Sequence, residues 1–195
     1  MYKLICVTSR KIFYDTFGKE ADFAGRVREI LDAGVKVILR EKDMSEREYA
    51  DLLRKIGRRE ITAHTFASAA AEYGCREIHL PLPVLEKCDI NAFDIVGSSV
   101  HSEEEAIRAQ DLGASYITAG HVFATDCKKG LPPRGTEFIT DVRHAVNMPV
   151  YAIGGISPEN AYKAIAAGAD GVCVMSGFMR CGNVCEYVDS YNNTK

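Results

Sequence analysis

Apolar and polar residues repeat one unit along this chain: a stretch of helical periodicity ends at a glycine and is followed at once by a short apolar run. The unit occurs four times, at Gly34 before 37–39, Gly74 before 78–80, Gly113 before 116–118 and Gly168 before 171–175. A glycine just past a helix readily adopts the left-handed conformation that reverses the chain. A short apolar run without alternation is typical of a parallel strand covered on both faces. The repeat therefore predicts successive helix–strand units.

Eight segments have the composition of such strands: 4–7, 35–39, 60–63, 77–80, 94–98, 116–119, 150–153 and 171–175. Amphipathic helices are clearest at 45–56, 102–112 and 158–166, and Ser102 and Glu105 have the spacing of a capping box. Eight alternating strands and helices predict an α/β fold, a TIM (β/α)8 barrel. The alternative is an open doubly wound sheet, which the even strand spacing and the lack of a G-x-G-x-x-G turn after the first strand disfavour.

Composition and charge limit the number of domains and the classes of partner. With 47% hydrophobic residues, 195 residues suffice for one buried core, so residues 1–195 are predicted to form a single compact domain. The formal net charge is -3 without a lysine and arginine block, and no apolar stretch is near the roughly 20 residues that span a bilayer. The chain starts without a signal-peptide layout, so we expect a cytoplasmic protein with no nucleic-acid or membrane partner. The seven cysteines are scattered without a C-x-x-C pair, and most are predicted to be small core residues.

Candidate functional residues are those at the carboxyl ends of the predicted strands, because the loops there build the active site of a barrel. Arg40, Glu41 and Lys42 follow the second strand, either as part of a site or as a solvated loop with an ion pair. His64 follows the third strand and His79 lies at the end of the fourth. A lone histidine is more often a structural residue, so position alone makes these two candidates.

The loop 120–130 follows the sixth strand and combines His121 with Cys127, Lys128 and Lys129. An imidazole can accept and return a proton at neutral pH, as general acid–base catalysis requires, and the two lysines can hold an anion. The alternative is that His121 is a hydrogen-bonded loop residue and Cys127 is inert.

Glycine-rich turns follow the seventh and eighth strands. Gly154 and Gly155 lie in the first turn, and Met175 and Ser176 begin the second. Such loops expose backbone N–H groups and are the usual phosphate site of a TIM barrel. They predict a phosphorylated ligand, the alternative being tight turns without a ligand.

Six segments together resemble the thiamine phosphate synthase superfamily over nearly the whole chain: 37–42, 79–80, 95–101, 120–128, 152–156 and 167–171. The resemblance implies a TIM barrel. Synthases of this family couple a pyrimidine pyrophosphate to a thiazole phosphate, and two aspartates after strands three and four hold their magnesium. Here His64-Thr65 occupies the place of an Asn-Asp pair, and 79–84 replaces the acidic run, so that Thr65 and Val84 stand where aspartates belong. The resemblance therefore implies that this chain binds no metal.

The loop 120–130 is similar to that of the TenI-type thiazole tautomerase branch, whereas synthases usually have proline in place of His121. This similarity implies an isomerase that aromatises an exocyclic carboxythiazole phosphate, with His121 as the acid–base residue and no metal or organic cofactor. It also implies ligand contacts at residues shared with the family: Thr125, Asp126, Cys127 and Lys128, the phosphate site at Gly154, Gly155, Met175 and Ser176, and Arg40 and Lys42, which hold pyrophosphate in synthases.

Two other functions stay open at this point. One is a divergent, magnesium-dependent thiamine phosphate synthase, favoured by the intact 40–42 and 154–155 segments. The other is a non-catalytic protein that binds or senses a phosphate of the thiamine pathway. The sequence also leaves open whether the protein is a homodimer.

Overall fold

The computed structural model describes residues 3–125 and 130–192. Its eight parallel strands form a closed barrel in sequence order, with β1 hydrogen-bonded to both β2 and β8. The strands are β1 Lys3–Val7, β2 Lys36–Leu39, β3 Thr62–His64, β4 Glu77–Pro81, β5 Ile95–Val100, β6 Tyr116–Gly120, β7 Val150–Ile153 and β8 Gly171–Val174. The TIM barrel is confirmed, and the pairing of β1 with β8 excludes the open sheet.

Helices cover the outside of the barrel. They are α1 Arg10–Phe17, α2 Phe23–Asp32, α3 Glu46–Ile56, α4 Ala67–Tyr73, α5 Leu82–Leu85, α6 Glu103–Asp111, α7 Glu137–Ala145, α8 Ala161–Ala166, α9 Ser176–Arg180 and α10 Val184–Asn192. None of the helices in the described part of the chain has the length and apolar character needed to cross a bilayer.

The helix ends largely follow the sequence signals. Gly34, Gly74, Gly113 and Gly168 all have positive φ, as the repeat predicts. Ser102 caps α6 by accepting a hydrogen bond from the Glu105 N–H at 3.1 Å, but the Glu105 carboxylate accepts from the His101 N–H at 2.6 Å. The predicted reciprocal capping box is therefore only half formed, because its carboxylate has a different partner.

Two apolar layers hold the barrel together. The larger lies between the strands and the helices, where strand residues such as Val37, Leu39 and Ile117 are fully buried. The smaller fills the barrel interior and is formed by Ile5, Val7, Ile38, Tyr116, Tyr151 and Cys173. Cys6, Cys75 and Cys173 are buried core residues as predicted, whereas Cys185 is exposed. Because the interior is filled, a ligand has access only to the barrel ends.

Candidate active site

A cavity of about 430 Å³ opens at the carboxyl ends of the strands. Eight of the predicted site residues line it: Arg40, Lys42, His121, Thr125, Gly154, Gly155, Met175 and Ser176. His64, His79 and His101 line the same cavity. The predicted residues Asp126, Cys127 and Lys128 lie outside the described residues. Parallel strands of a barrel end at one rim, which is why residues far apart in sequence meet here.

The turn after β2 holds two cations, Arg40 and Lys42, and one carboxylate, Glu41, in different surroundings. Glu41 is buried, and it accepts hydrogen bonds from the Thr8 hydroxyl at 2.6 Å and the Arg10 N–H at 2.9 Å. The Arg40 N–H donates in turn to the Thr8 hydroxyl at 2.9 Å. Burial raises the pKa of the Glu41 carboxyl, although the hydrogen bonds from Thr8 and Arg10 oppose the shift. The alternative of a solvated loop around Glu41 is therefore wrong, and Arg40 and Lys42 line the cavity.

His64 ends β3, whereas His79 lies in the middle of β4 and not at its end as predicted; both are buried, with their rings stacked 5.8 Å apart. Burial lowers the pKa of His64 to about 2, with smaller contributions from His79, Arg40 and Lys42. Burial also lowers the pKa of His79 to about 3, together with the charge of Arg40. Both imidazoles are therefore neutral at neutral pH.

A hydrogen-bonded network surrounds His79. Its Nε2 lies 2.8 Å from the Ser99 hydroxyl and its Nδ1 lies 3.1 Å from the Tyr116 hydroxyl. The Thr118 hydroxyl donates to Ser99 at 3.2 Å. Ser99 and Thr118 are cavity residues that were not predicted from the sequence, although both are polar positions inside strands that are otherwise mostly apolar. That contrast is the signal that identifies them.

His121 follows β6, and one of its ring nitrogens has no hydrogen-bond partner among the described residues. The residue is 9% exposed, and its Nε2 is the one buried side-chain nitrogen or oxygen among residues 3–125 and 130–192 that has no hydrogen-bond partner. The loop that holds it is fixed on β7, because the Val122 N–H donates to the Ile153 carbonyl at 3.0 Å and the Phe123 N–H to Gly154 at 2.9 Å. A buried, unsatisfied nitrogen at a cavity is a position where a ligand atom or an ordered water can bind.

The two glycines after β7 allow the β6 loop to pack on them. A Cβ atom on Gly155 would lie 2.4 Å from the Ala124 carbonyl oxygen, and Gly155 has a φ of 66°. The Asn160 amide donates to the Gly155 carbonyl at 2.8 Å. The glycines are therefore required for tight turns, and these turns also form part of the cavity wall beside the start of the short helix α9.

The residues present do not fit a magnesium ion held by carboxylates. Within the described ranges, no three His, Cys, Asp or Glu side chains come together in a metal-binding group. Glu41 is engaged by Thr8 and Arg10, and Glu105, on the cavity wall, accepts hydrogen bonds from His101. Magnesium requires oxygen ligands in an octahedral arrangement, which this wall does not supply.

Comparison with known proteins supports the similarity seen in the sequence. A family model described as thiamine monophosphate synthase matches residues 4–178. The thiamine-phosphate synthase of Clostridium acetobutylicum is 31% identical over 191 residues, covering 91% of this chain and 87% of the relative. That of Caldanaerobacter subterraneus subsp. tengcongensis is 34% identical over 191 residues, covering 90% and 86%.

A solved structure agrees with these relatives. The thiamine phosphate pyrophosphorylase of Pyrococcus furiosus superposes with a TM-score of 0.75 at 26% identity, covering 99% of this chain and 95% of that one. The resemblance to the thiamine phosphate synthase superfamily is therefore confirmed.

The same comparisons contradict the prediction of an isomerase. The relatives are named for a transferase, and the similarity to them extends over about nine-tenths of the chain. The isomerase prediction rested on His121 and the adjoining loop, of which residues 126–129 lie outside the described residues. One replaced loop residue indicates less about the reaction than similarity along the whole barrel, so that prediction is wrong.

Proposed function

Because the chain belongs to the thiamine monophosphate synthase family, we propose that it is a transferase that joins two phosphorylated substrates at the mouth of its barrel. The substrates are those that the family resemblance implies, a pyrimidine pyrophosphate and a thiazole phosphate. The thiazole nitrogen forms a bond to the carbon that bears the pyrophosphate. As this bond forms, the carbon–oxygen bond breaks and pyrophosphate leaves with its electron pair.

The observation that supports this proposal most is that two kinds of anion site line one cavity. Arg40 and Lys42 provide fixed positive charge at the end of β2. The turn at Gly154 and Gly155 and the start of α9 provide a backbone site on another part of the rim, beyond β1. Loops after β7 and β8 with a short extra helix are a common phosphate site of TIM barrels. Two anion sites in one cavity suit two phosphorylated substrates.

The cations are placed to act on the leaving group. Arginine binds phosphate oxygens through two parallel hydrogen bonds, and lysine adds a point charge. Negative charge grows on the pyrophosphate as the carbon–oxygen bond breaks, so groups held close to it stabilise the transition state more than the ground state. The backbone site holds the thiazole phosphate, which orients the attacking ring.

His79 and His121 line the cavity that both anion sites share. His79 is held by Ser99 and Tyr116, and the unpaired Nε2 of His121 is available to a polar atom of the bound substrates. Both ring nitrogens of His79 are engaged by these hydroxyls, so the hydrogen bond to a heterocycle is left to Nε2 of His121. The ring nitrogens and amino groups of a heterocycle are suitable partners.

The test is direct. Purified protein is incubated with the pyrimidine pyrophosphate and the thiazole phosphate, and both thiamine phosphate and released pyrophosphate are measured, with and without Mg²⁺. We expect equal amounts of the two products, and Arg40→Ala should slow their formation at least tenfold. Tight binding of either substrate without product under both conditions would contradict a transferase and indicate a binding protein instead.

A further inference from the structure

Four hydrogen-bonding side chains form a continuous network from the barrel interior to the cavity. The Tyr116 hydroxyl lies 3.1 Å from Nδ1 of His79, and Nε2 of the same ring lies 2.8 Å from the Ser99 hydroxyl. The Thr118 hydroxyl donates to Ser99 at 3.2 Å. His79, Ser99 and Thr118 line the cavity, whereas Tyr116 belongs to the apolar cluster of the barrel interior. The network therefore connects a tyrosine outside the cavity to side chains that a ligand can contact.

The surroundings of Tyr116 decide the direction of the first hydrogen bond. Its ring lies in the apolar interior, with Tyr151 packed edge-on against it. Burial above all raises the pKa of the Tyr116 phenol, so the hydroxyl keeps its proton. Among residues 3–125 and 130–192, Nδ1 of His79 is the one hydrogen-bond partner of this hydroxyl. Because a buried O–H without an acceptor is costly, Tyr116 donates to Nδ1.

His79 transmits this direction to Ser99. Its ring is neutral at neutral pH, because burial lowers its pKa to about 3, together with the charge of Arg40. A neutral imidazole has one proton, and the hydrogen-bond network assigns that proton to Nε2, since Nδ1 accepts from Tyr116. Nε2 then donates to the Ser99 oxygen. The Thr118 hydroxyl lies 3.5 Å from Nε2, too far to compete with the 2.8 Å bond to Ser99.

Ser99 is left with one hydrogen to donate. A hydroxyl has a single O–H and two lone pairs. Nε2 of His79 and the Thr118 hydroxyl both donate to the Ser99 oxygen, and in the described part of the chain these are its two hydrogen-bond partners. Both lone pairs are therefore occupied, and the remaining O–H is available on the cavity side, where Ser99 is partly exposed.

We propose that Tyr116 and Thr118 are positioning residues that make Ser99 a hydrogen-bond donor to the bound substrate, with Tyr116 acting through His79. The identity of the substrate rests on the proposed function. The substrate atom that meets Ser99 is an acceptor, either a phosphate oxygen or a ring nitrogen. A substrate with an N–H or O–H at this point would place two donors opposite each other, so the network also selects against such a group.

The direction of the network can be measured without any substrate. Long-range ¹H–¹⁵N NMR of the full-length protein with ¹⁵N-labelled histidine shows which ring nitrogen is protonated, and the His79 signals are identified by their absence from His79→Asn. We expect a proton on Nε2 and none on Nδ1 at pH 7. A proton on Nδ1 would overturn the proposal, because Nε2 would then accept the hydrogen of Ser99.

Calorimetric titration measures the consequence for binding. The ligands are the pyrimidine pyrophosphate and the thiazole phosphate, each compared with inorganic pyrophosphate or phosphate. Ser99→Ala should weaken the binding of one substrate about tenfold, the usual effect of losing one hydrogen bond to a charged group. A loss shared with the inorganic anion identifies a phosphate oxygen as the acceptor, whereas a loss confined to the substrate identifies a ring nitrogen.

A double-mutant cycle separates positioning from a structural role. Tyr116→Phe keeps the ring and removes the hydroxyl, so it should weaken the same binding several-fold, but should have no further effect in Ser99→Ala. Thr118→Val is the second variant, with the same expectation. Tyr151→Phe is the control: this tyrosine packs against Tyr116 outside the network, so binding should stay unchanged. Circular dichroism checks that each variant is folded.

Two results of these titrations would overturn the proposal. One is that folded Ser99→Ala binds every ligand as tightly as the original protein does. The other is that Tyr116→Phe and Thr118→Val weaken binding equally with and without the Ser99 hydroxyl, because their effect would then not pass through Ser99.

The outcome separates this inference from the proposed function, since neither measurement requires coupling. A proton on Nε2 with Ser99-dependent binding, but without coupling of the two substrates, would contradict the transferase and support the positioning network. Coupling by a protein whose His79 is protonated on Nδ1 would support the transferase and overturn the network.

Discussion

Gly154 lies directly against His121: a Cβ atom on Gly154 would be 2.5 Å from the Cβ of His121 and 2.7 Å from its Cα. Gly154 also has a φ of 102°, which side chains rarely tolerate. Gly154→Ala should therefore lower the free energy of unfolding by about 3 kcal/mol through overpacking and backbone strain. Urea denaturation measures this loss. Gly182→Ala is the control, because that glycine faces open space without a left-handed φ, and equal stability of the two variants would contradict the prediction.

His121 should contribute to ligand binding and not to stability. Replacing it with leucine removes a buried nitrogen that has no partner in the described structure, so the free energy of unfolding should stay constant or rise by about 1 kcal/mol. Product formation should fall at least tenfold, because the ligand loses its partner. Val122→Ala provides the contrast: this neighbour is fully buried, so its truncation should destabilise the fold. A His121→Leu protein that is less stable and fully active would show a structural role.

Stability should fall as the pH is lowered below 6.5, because His64 and His79 resist protonation in the fold. Burial above all lowers their pKa values from 6.5 to about 2 and about 3. Between these values and 6.5 the unfolded chain binds protons that the folded one does not. Their contribution is complete above pH 6.5 and is lost as the pH falls toward 3, at about 1.4 kcal/mol per pH unit for each histidine.

Urea denaturation between pH 7 and pH 4 measures this slope. The double variant His64→Asn, His79→Asn should lose most of it, because asparagine does not titrate. If the variant and the original protein have the same slope over this range, the two imidazoles are not kept neutral by the fold.

The barrel could be predicted from the sequence because its strands are buried on both faces and are marked by glycines at the preceding helix ends. Strand bounds shifted where pairing decides them. The strand predicted at 60–63 is Thr62–His64, since hydrogen bonding with β2 and β4 begins at Thr62. Likewise the helix predicted from residue 158 begins at Ala161, because the Asn160 side chain accepts from the Ser157 N–H and closes a turn before it.

The site could be predicted only in part. Residues at strand ends, such as Arg40 and Gly154, were found because the barrel topology brings these ends together. The contact of His79 with Tyr116 was not found, since it joins β4 to β6 across β5 and depends on the register that sets Gly97 opposite both. The engagement of Glu41 by Thr8 likewise joins groups 33 residues apart, which sequence spacing does not reveal.

Gly97 leaves the space in which Tyr116 reaches His79. A Cβ atom there would lie 2.1 Å from Cζ of Tyr116 and 2.6 Å from Nδ1 of His79. Gly97→Ala should therefore displace the tyrosine ring and cost about 2 kcal/mol of stability. Tyr116→Leu shortens the side chain, so the double variant should be more stable than the sum of the two single losses by about 1 kcal/mol or more. Chemical denaturation of the four proteins gives this interaction energy. Strict additivity would mean that Gly97 does not keep open the space that Tyr116 occupies.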